Sequence, residues 1–196
     1  MQKASRLAAI AALTLTTFGT VFGAAAPVPR KAPEFVILSP DGKQTLLSSY
    51  RGKTVVLAFM FTTCPHCQKM AGILSQLQKE YAARGVQVLG ATFNPTAKAE
   101  VQMFNKVFGV NFPCGYTQNE NVLSFLGLTP AEPPFVPIVI FIDKTGTIRA
   151  QHLENGDAAH DAKENDFFAN PEAGVRAELD KLLKAGSSVS ISPAAK

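Results

Sequence analysis

Eight residues, Thr54 to Phe61 (T-V-V-L-A-F-M-F), are apolar almost throughout; after two threonines, Cys64-Pro65-His66-Cys67 opens a helical pattern. A strand that is apolar on both faces is expected to be covered on both. Proline suits the first helical position, because its φ is already helical and its missing N–H has no partner to lose there. Met70, Ile73, Leu74, Leu77 and Tyr81 then share one helical face, and Arg84-Gly85 ends the segment. A buried strand that feeds a helix whose first turn holds two cysteines restricts the chain to α/β architectures more than any other feature it has.

That placement also carries chemistry. Cys64 falls at the helix N-terminus, where unpaired backbone N–H groups and the helix dipole favour an anion. The thiolate is the reactive form of cysteine, so Cys64 is the expected nucleophile. Cys67, one turn on and more buried, is the expected resolving thiol: Cys64 forms a mixed disulfide with a partner and Cys67 displaces it. His66, beside the Cys64 sulfur, would stabilise the thiolate further and make the disulfide more oxidising. The competing readings of the pair are a static disulfide or half of a zinc site. Structural zinc takes four protein ligands, and nothing in the spacing of Cys114 and the histidines suggests the other two. No metal and no cofactor is therefore expected.

The rest of the chain alternates. Glu34 to Leu38, Thr54 to Phe61, Val86 to Ala91, a short extended piece at Phe112 to Tyr116, and Ile138 to Ile142 read as strands. Asp143-Lys144-Thr145-Gly146 turns the last of these into a hairpin with Thr147 to His152. Helices are expected after Cys64, around Val101, Phe104, Val107 and Phe108, over Glu120 to Leu126, and from Asn170-Pro171-Glu172 to Lys184. The order β-β-α-β-α-β-α-β-β-α predicts a central mixed sheet flanked by helices in one domain, residues 34–185. Residues 26–33 read as a Pro-rich linker and residues 186–196 as a flexible tail.

The N-terminus has the order of a secretory leader: Lys3 and Arg6, an uncharged apolar run from Leu7 to Phe22, then Gly23, Ala24, Ala25 and Ala26. Cleavage after Ala25 is expected, giving a signal peptide over residues 1–25; an uncleaved membrane anchor is the alternative. The location is then periplasmic or otherwise extracytoplasmic, where disulfides form and persist. Of the formal net charge of +4, Lys3 and Arg6 supply two, which leaves about +2 on the mature chain. With no tryptophan and three tyrosines, nucleic-acid binding has little support.

The stretch L-S-S-Y-R-G-K-T-V-V-L-A-F-M-F-T-T-C-P-H-C resembles the redoxin branch of the thioredoxin superfamily. Within it the likeness is to TlpA- and ResA-like exported proteins, related to the AhpC/TSA peroxiredoxins, over roughly Pro33 to His152. The resemblance implies a thioredoxin-like fold and thiol–disulfide exchange with protein thiols and disulfides. A membrane redox protein is among the candidate partners, and the chain itself is expected to be a monomer. It also implies a cis-proline opposite the cysteine pair, matched by Pro137 in Val136-Pro137-Ile138. The Val136 backbone would pair with a bound partner strand, and Pro65 would lie on the same substrate-binding surface. The interval from Cys67 to Pro137 suits an extra strand–helix insertion before the cis-proline strand. It is shorter than in DsbA, which shares C-P-H-C.

Departures from the pattern are informative. Thr63 replaces the usual tryptophan, Ala58 stands where thioredoxins bury an aspartate, and Met70 where ResA-like proteins often carry a glutamate. A thiol peroxidase is the main enzymatic alternative. Peroxiredoxins carry P-x-x-x-T-x-x-C, but Leu57 and Phe61 occupy the proline and threonine positions before Cys64. A metal-binding thioredoxin-fold chaperone, which would want C-x-x-x-C, is the weaker alternative. Cys114 reads as a small buried hydrophobe, or else as a regulatory thiol. His152 and His160 flank an acid-rich stretch that reads as a solvated loop and helix face, with metal binding as the other reading.

Overall fold

The computed structural model describes residues 25–131, 134–154 and 167–188. The strands are β1 (Arg30–Lys31), β2 (Val36–Leu38), β3 (Gln44–Leu46), β4 (Thr54–Met60), β5 (Val86–Thr92), β6 (Cys114–Tyr116), β7 (Phe135–Ile142) and β8 (Thr147–Glu154). The helices are α1 (Pro65–Tyr81), α2 (Ala97–Val107), α3 (Asn119–Leu126) and α4 (Pro171–Ser188). The strands form one mixed sheet in the order β1-β8-β7-β4-β5-β6-β2-β3. β4, β5 and β6 run parallel, while β7 lies antiparallel to β4 and continues through a hairpin into β8. Between β5 and β7 the chain makes α2, β6 and α3, the additional unit expected before Pro137.

β4 is central because both of its faces are apolar. Val56, Ala58 and Met60 point to one side, where α1 packs through Met70, Leu74 and Leu77 and α4 through Val175, Leu179 and Leu182. Val55, Leu57 and Phe59 point to the other, against Val122, Phe125 and Leu126 of α3 and Phe35. Residues 56 to 60 are completely buried. A sheet covered on both sides needs this continuous apolar run rather than an alternating one.

The hairpin is held by one carboxylate. Asp143 accepts from the Thr145 N–H at 2.8 Å, the Thr145 hydroxyl at 2.7 Å and the Thr147 N–H at 3.0 Å, and pairs with Arg149 at 2.6 Å. Burial opposes ionisation of Asp143, but these donors outweigh it and hold the carboxyl down at about 2. The folded-state value lies below the unfolded one, so this contribution to stability is complete above about pH 4 and is lost as the pH falls towards 2. Asp143→Asn is accordingly expected to lower Tm by a few degrees at neutral pH, with the gap to the parent closing near pH 2 in thermal unfolding scans.

Several boundaries differ from expectation. The segment expected to be a linker is partly sheet: β1 pairs with Ile148 and Thr147 of β8, and the Ala26 N–H donates to the Leu126 carbonyl at 2.8 Å. Its prolines suggested an unattached stretch, but an edge strand tolerates proline where no ladder bond is needed. β3 was not foreseen; it is three residues long and half exposed, so it has little apolar signal. β7 begins at Phe135, ahead of Pro137, rather than at Ile138. α4 continues past Gly186 to Ser188, so the expected tail starts inside a helix. Val107, expected on the buried face of α2, is 63% exposed; Val101 and Phe104 carry that face. The leader (residues 1–24), His160 and residues 189–196 lie outside the described residues.

Candidate active site

The site forms where β4 ends and α1 begins. β4 delivers the chain to the C-terminal edge of the parallel strands, and residues 61–64 turn it into the helix. Cys64 is the N-cap of α1, with extended backbone (φ −84°, ψ 121°), and Pro65 is the first helical residue. The Cys64 carbonyl accepts from the Gln68 N–H at 3.0 Å, which closes the first turn. Cys64 is half-buried, Pro65 and His66 are exposed, and Cys67 is completely buried.

Across from this turn, the Val136–Pro137 peptide is cis. Pro137 is buried, and the Val136 carbonyl lies 3.7 Å from the Cys64 sulfur. β4 pairs with β7 only as far as Ile138, so Phe135 to Pro137 overhang that pairing beside the cysteine. The structure thus brings Cys64, Cys67, Pro65, His66, Val136 and Pro137 to one edge of the sheet.

The surroundings of the two sulfurs differ. The Phe61 N–H donates to the Cys67 sulfur at 3.4 Å. Ala58 and Met70, the two departures from the family pattern noted in the sequence, are buried in the apolar core under α1.

A polar cluster that the sequence reading did not single out lies just before Cys64. The Thr62 N–H donates to Asn94 Oδ1 at 3.0 Å, and Asn94 Nδ2 donates to the Thr62 hydroxyl at 2.9 Å. The same amide reaches Thr96 Oγ1 at 3.0 Å and Glu100 Oε2 at 3.2 Å, and the Thr62 hydroxyl donates to Glu100. Gln68 Nε2 donates to the Thr62 carbonyl at 2.9 Å. Hydrogen bonds from Thr62 and Thr96, joined by Asn94, outweigh burial and hold the Glu100 carboxyl below its ordinary range. Asn94-Pro95-Thr96 followed by an acid in the first turn is a legible helix start. Which loop that acid meets depends on the β4–β5 pairing.

The remaining candidates stand apart from this edge. Cys114 opens β6, and its sulfur packs beside Gly90, where even a Cβ would come within 2.8 Å of it. Burial pushes the Cys114 thiol up to about 12, so it is protonated at neutral pH. This environment suits a packed hydrophobe. His152 stacks on Phe167 with ring centroids 4.0 Å apart and meets the edge of Phe141. Burial pushes its imidazole down, against the pull of Glu178 at 3.5 Å. Among the described residues no group of three or more His, Cys, Asp or Glu is placed to hold a metal ion.

The chain is similar in sequence and fold to known proteins. The family model described as AhpC/TSA matches residues 28–151. The thiol-disulfide oxidoreductase ResA of Geobacillus thermodenitrificans is 31% identical over 142 residues, covering 71% of this chain and 78% of the relative. ResA of Geobacillus kaustophilus is 30% identical over 151 residues, covering 76% and 83%. Among solved structures, a thiol:disulfide interchange protein of the thioredoxin family from Chlorobium tepidum superposes with a TM-score of 0.59 over 81% of this chain and 99% of that one, at 24% identity. The fold is therefore thioredoxin-like, and the chain belongs to the AhpC/TSA family, in the redoxin branch of the thioredoxin superfamily.

Proposed function

We propose that this chain is an exported thiol–disulfide oxidoreductase that exchanges disulfides with protein partners, Cys64 attacking and Cys67 resolving. The observation that carries the reading is the pairing of a helix-capping, half-buried Cys64 with a completely buried Cys67, opposite the cis peptide before Pro137. The thiolate is the reactive form of Cys64, which stands at the helix N-terminus. The thiolate attacks a partner disulfide and releases one partner thiol, leaving a mixed disulfide. Cys67 then attacks the Cys64 sulfur and releases the second, so two electrons pass to the partner; run backwards, the same steps oxidise it. The overhanging Val136 backbone offers a partner strand main-chain hydrogen bonds, a sequence-tolerant form of recognition. Both ResA relatives carry the name of this activity.

A peroxidase would need a hydroxyl to orient peroxide beside the thiolate. Leu57 is completely buried and Phe61 packs its ring against Phe93, with centroids 4.6 Å apart. Purified protein is expected to reduce insulin disulfides in the presence of dithiothreitol and to consume peroxide no faster than a Cys64→Ala control. The reverse result would make it a peroxidase.

His66 is proposed to tune the pair. The reduced state alone carries the Cys64 charge, so an imidazole that stabilises it raises the reduction potential. His66→Pro is expected to lower the potential by tens of millivolts, on the scale of about 30 mV per 1.4 kcal/mol, in equilibration with glutathione. An unchanged potential would remove His66 from the mechanism.

Export rests on the leader pattern of residues 1–25. Cleavage after Ala25 would leave the new amine where the Ala26 N–H now meets the Leu126 carbonyl, at the C-terminal end of α3, and a cation is favoured there. Mass spectrometry of the native protein checks this: a chain that begins at Met1 in the membrane fraction would replace secretion with anchoring.

A further inference from the structure

The loop that carries Cys64 has few means of holding its own shape. Residues 61–64 make one internal backbone bond, Cys64 N–H to the Phe61 carbonyl at 3.3 Å, and Gln68 reaches back to the Thr62 carbonyl. The remaining fixings come from outside. Thr62 is only 6% exposed, so its hydroxyl and N–H must find partners in the protein. They find them in Asn94, the second residue after β5, and in Glu100, in the first turn of α2. Asn94 is itself 8% exposed and donates to the same carboxylate.

The same short loop carries Cys64 past the buried Cys67. One donor to the Cys67 sulfur is the Phe61 N–H, one residue before Thr62. The carbonyl of that same peptide, Met60 C=O, accepts from the Phe93 N–H at 3.1 Å, so the sheet end fixes the Cys67 side, whereas Thr62, two residues before Cys64, sets where the Cys64 sulfur sits relative to it. Cys67 lies in an apolar pocket where Ala58 and Met70 offer no charge or donor.

We propose that Glu100 is a positioning residue for the cysteine pair: its carboxylate grips Thr62 across the gap between α2 and the 61–64 loop and so keeps Cys64, which that loop carries, within reach of the Cys67 sulfur. Glu100 does not touch the reacting atoms. It acts through Thr62, and its effect falls on the second half of the exchange, in which Cys67 attacks. Hydrogen bonds to an ionised acceptor are roughly twice as strong as neutral ones, so a carboxylate serves this grip better than an amide. The inference rests on the assignment of Cys64 as attacking and Cys67 as resolving thiol.

The reaction of the reduced full chain with dithiobis(nitrobenzoate) separates the two halves. Cys64 attacks the reagent and releases one thionitrobenzoate. Cys67 then attacks the Cys64 mixed disulfide and releases the second, so the protein loses two electrons and one reagent molecule becomes two coloured thiolates. With Glu100→Gln, the second release is expected to slow about tenfold, the scale of one charge-assisted hydrogen bond, while the first changes by less than about twofold. Thr62→Val, which keeps the side-chain shape and removes the hydroxyl, is expected to reproduce this selective loss. Thr62→Ser is expected to restore parental kinetics. A merely structural brace would slow both releases together or lower Tm with neither changed. That result, or an unaltered second release in both Glu100→Gln and Thr62→Val, overturns the proposal. A parent chain that releases only one equivalent overturns the Cys64/Cys67 exchange reading itself.

Discussion

Replacing Cys67 by alanine is expected to convert the chain into a trap. Cys64 keeps its helix-end position and still attacks partner disulfides, but the mixed disulfide loses its internal attacker. Intramolecular attack proceeds at an effective concentration far above that of any free thiol, so its loss slows turnover by roughly two orders of magnitude or more. Non-reducing gels of Cys67→Ala should show partner-sized adducts that vanish on reduction, and insulin reduction should be nearly abolished. Cys64→Ala should be equally inactive but free of adducts, because the remaining Cys67 sulfur is completely buried and cannot meet a partner. Adducts on Cys64→Ala instead would reverse the assigned roles. Cys114 is expected to form few adducts in either variant, since its thiol stays protonated well above neutral pH.

The second large effect concerns stability. Phe59 is completely buried near the C-terminal end of β4 and meets three other rings: Phe35 at 5.0 Å, Phe125 at 5.7 Å and Phe93 at 6.5 Å between centroids. Phe59→Ala is expected to cost about 3–5 kcal/mol, from lost transfer energy and from a cavity that a sheet strand cannot collapse. Urea denaturation measures it as a lower midpoint at unchanged slope. A loss near 1 kcal/mol would mean that the three neighbouring rings close over the space. Phe59 and the cysteine loop share one strand. The midpoint and the dithiobis(nitrobenzoate) kinetics together therefore tell a loosened core from a damaged site.

Much of the architecture was legible in the residues because its signals are local. An apolar run as long as Thr54 to Phe61 can only be a doubly covered strand in a chain of this kind, and Pro65 marks where the next helix starts. The hairpin at Asp143 to Gly146 is likewise written in its turn chemistry: the Asp143 side chain bonds the backbone of Thr145 and Thr147, and Gly146 takes φ +76°. The cis peptide before Pro137 came instead from likeness to a family. Nothing local in Val136-Pro137 distinguishes cis from trans.

The short edge elements were hidden. β1 and β3 have two and three residues, too few for any periodicity, and they exist because β8 and β2 offer them partners. The polar clamp was hidden for the same reason. Thr62, Asn94 and Glu100 are separated by 32 and 6 residues in the chain, and each alone reads as an ordinary loop or helix-start residue.

By itself the sequence determined the strand–cysteine–helix junction, since hydrophobic period, proline and the helix terminus act within a few residues of one another. Only the tertiary structure decided that Phe61 would face the Cys67 sulfur, that Glu100 would meet Thr62, and that Cys114 would pack beside Gly90. Each depends on which strands lie side by side, and strand neighbours are chosen by the burial of the whole sheet rather than by any residue within it.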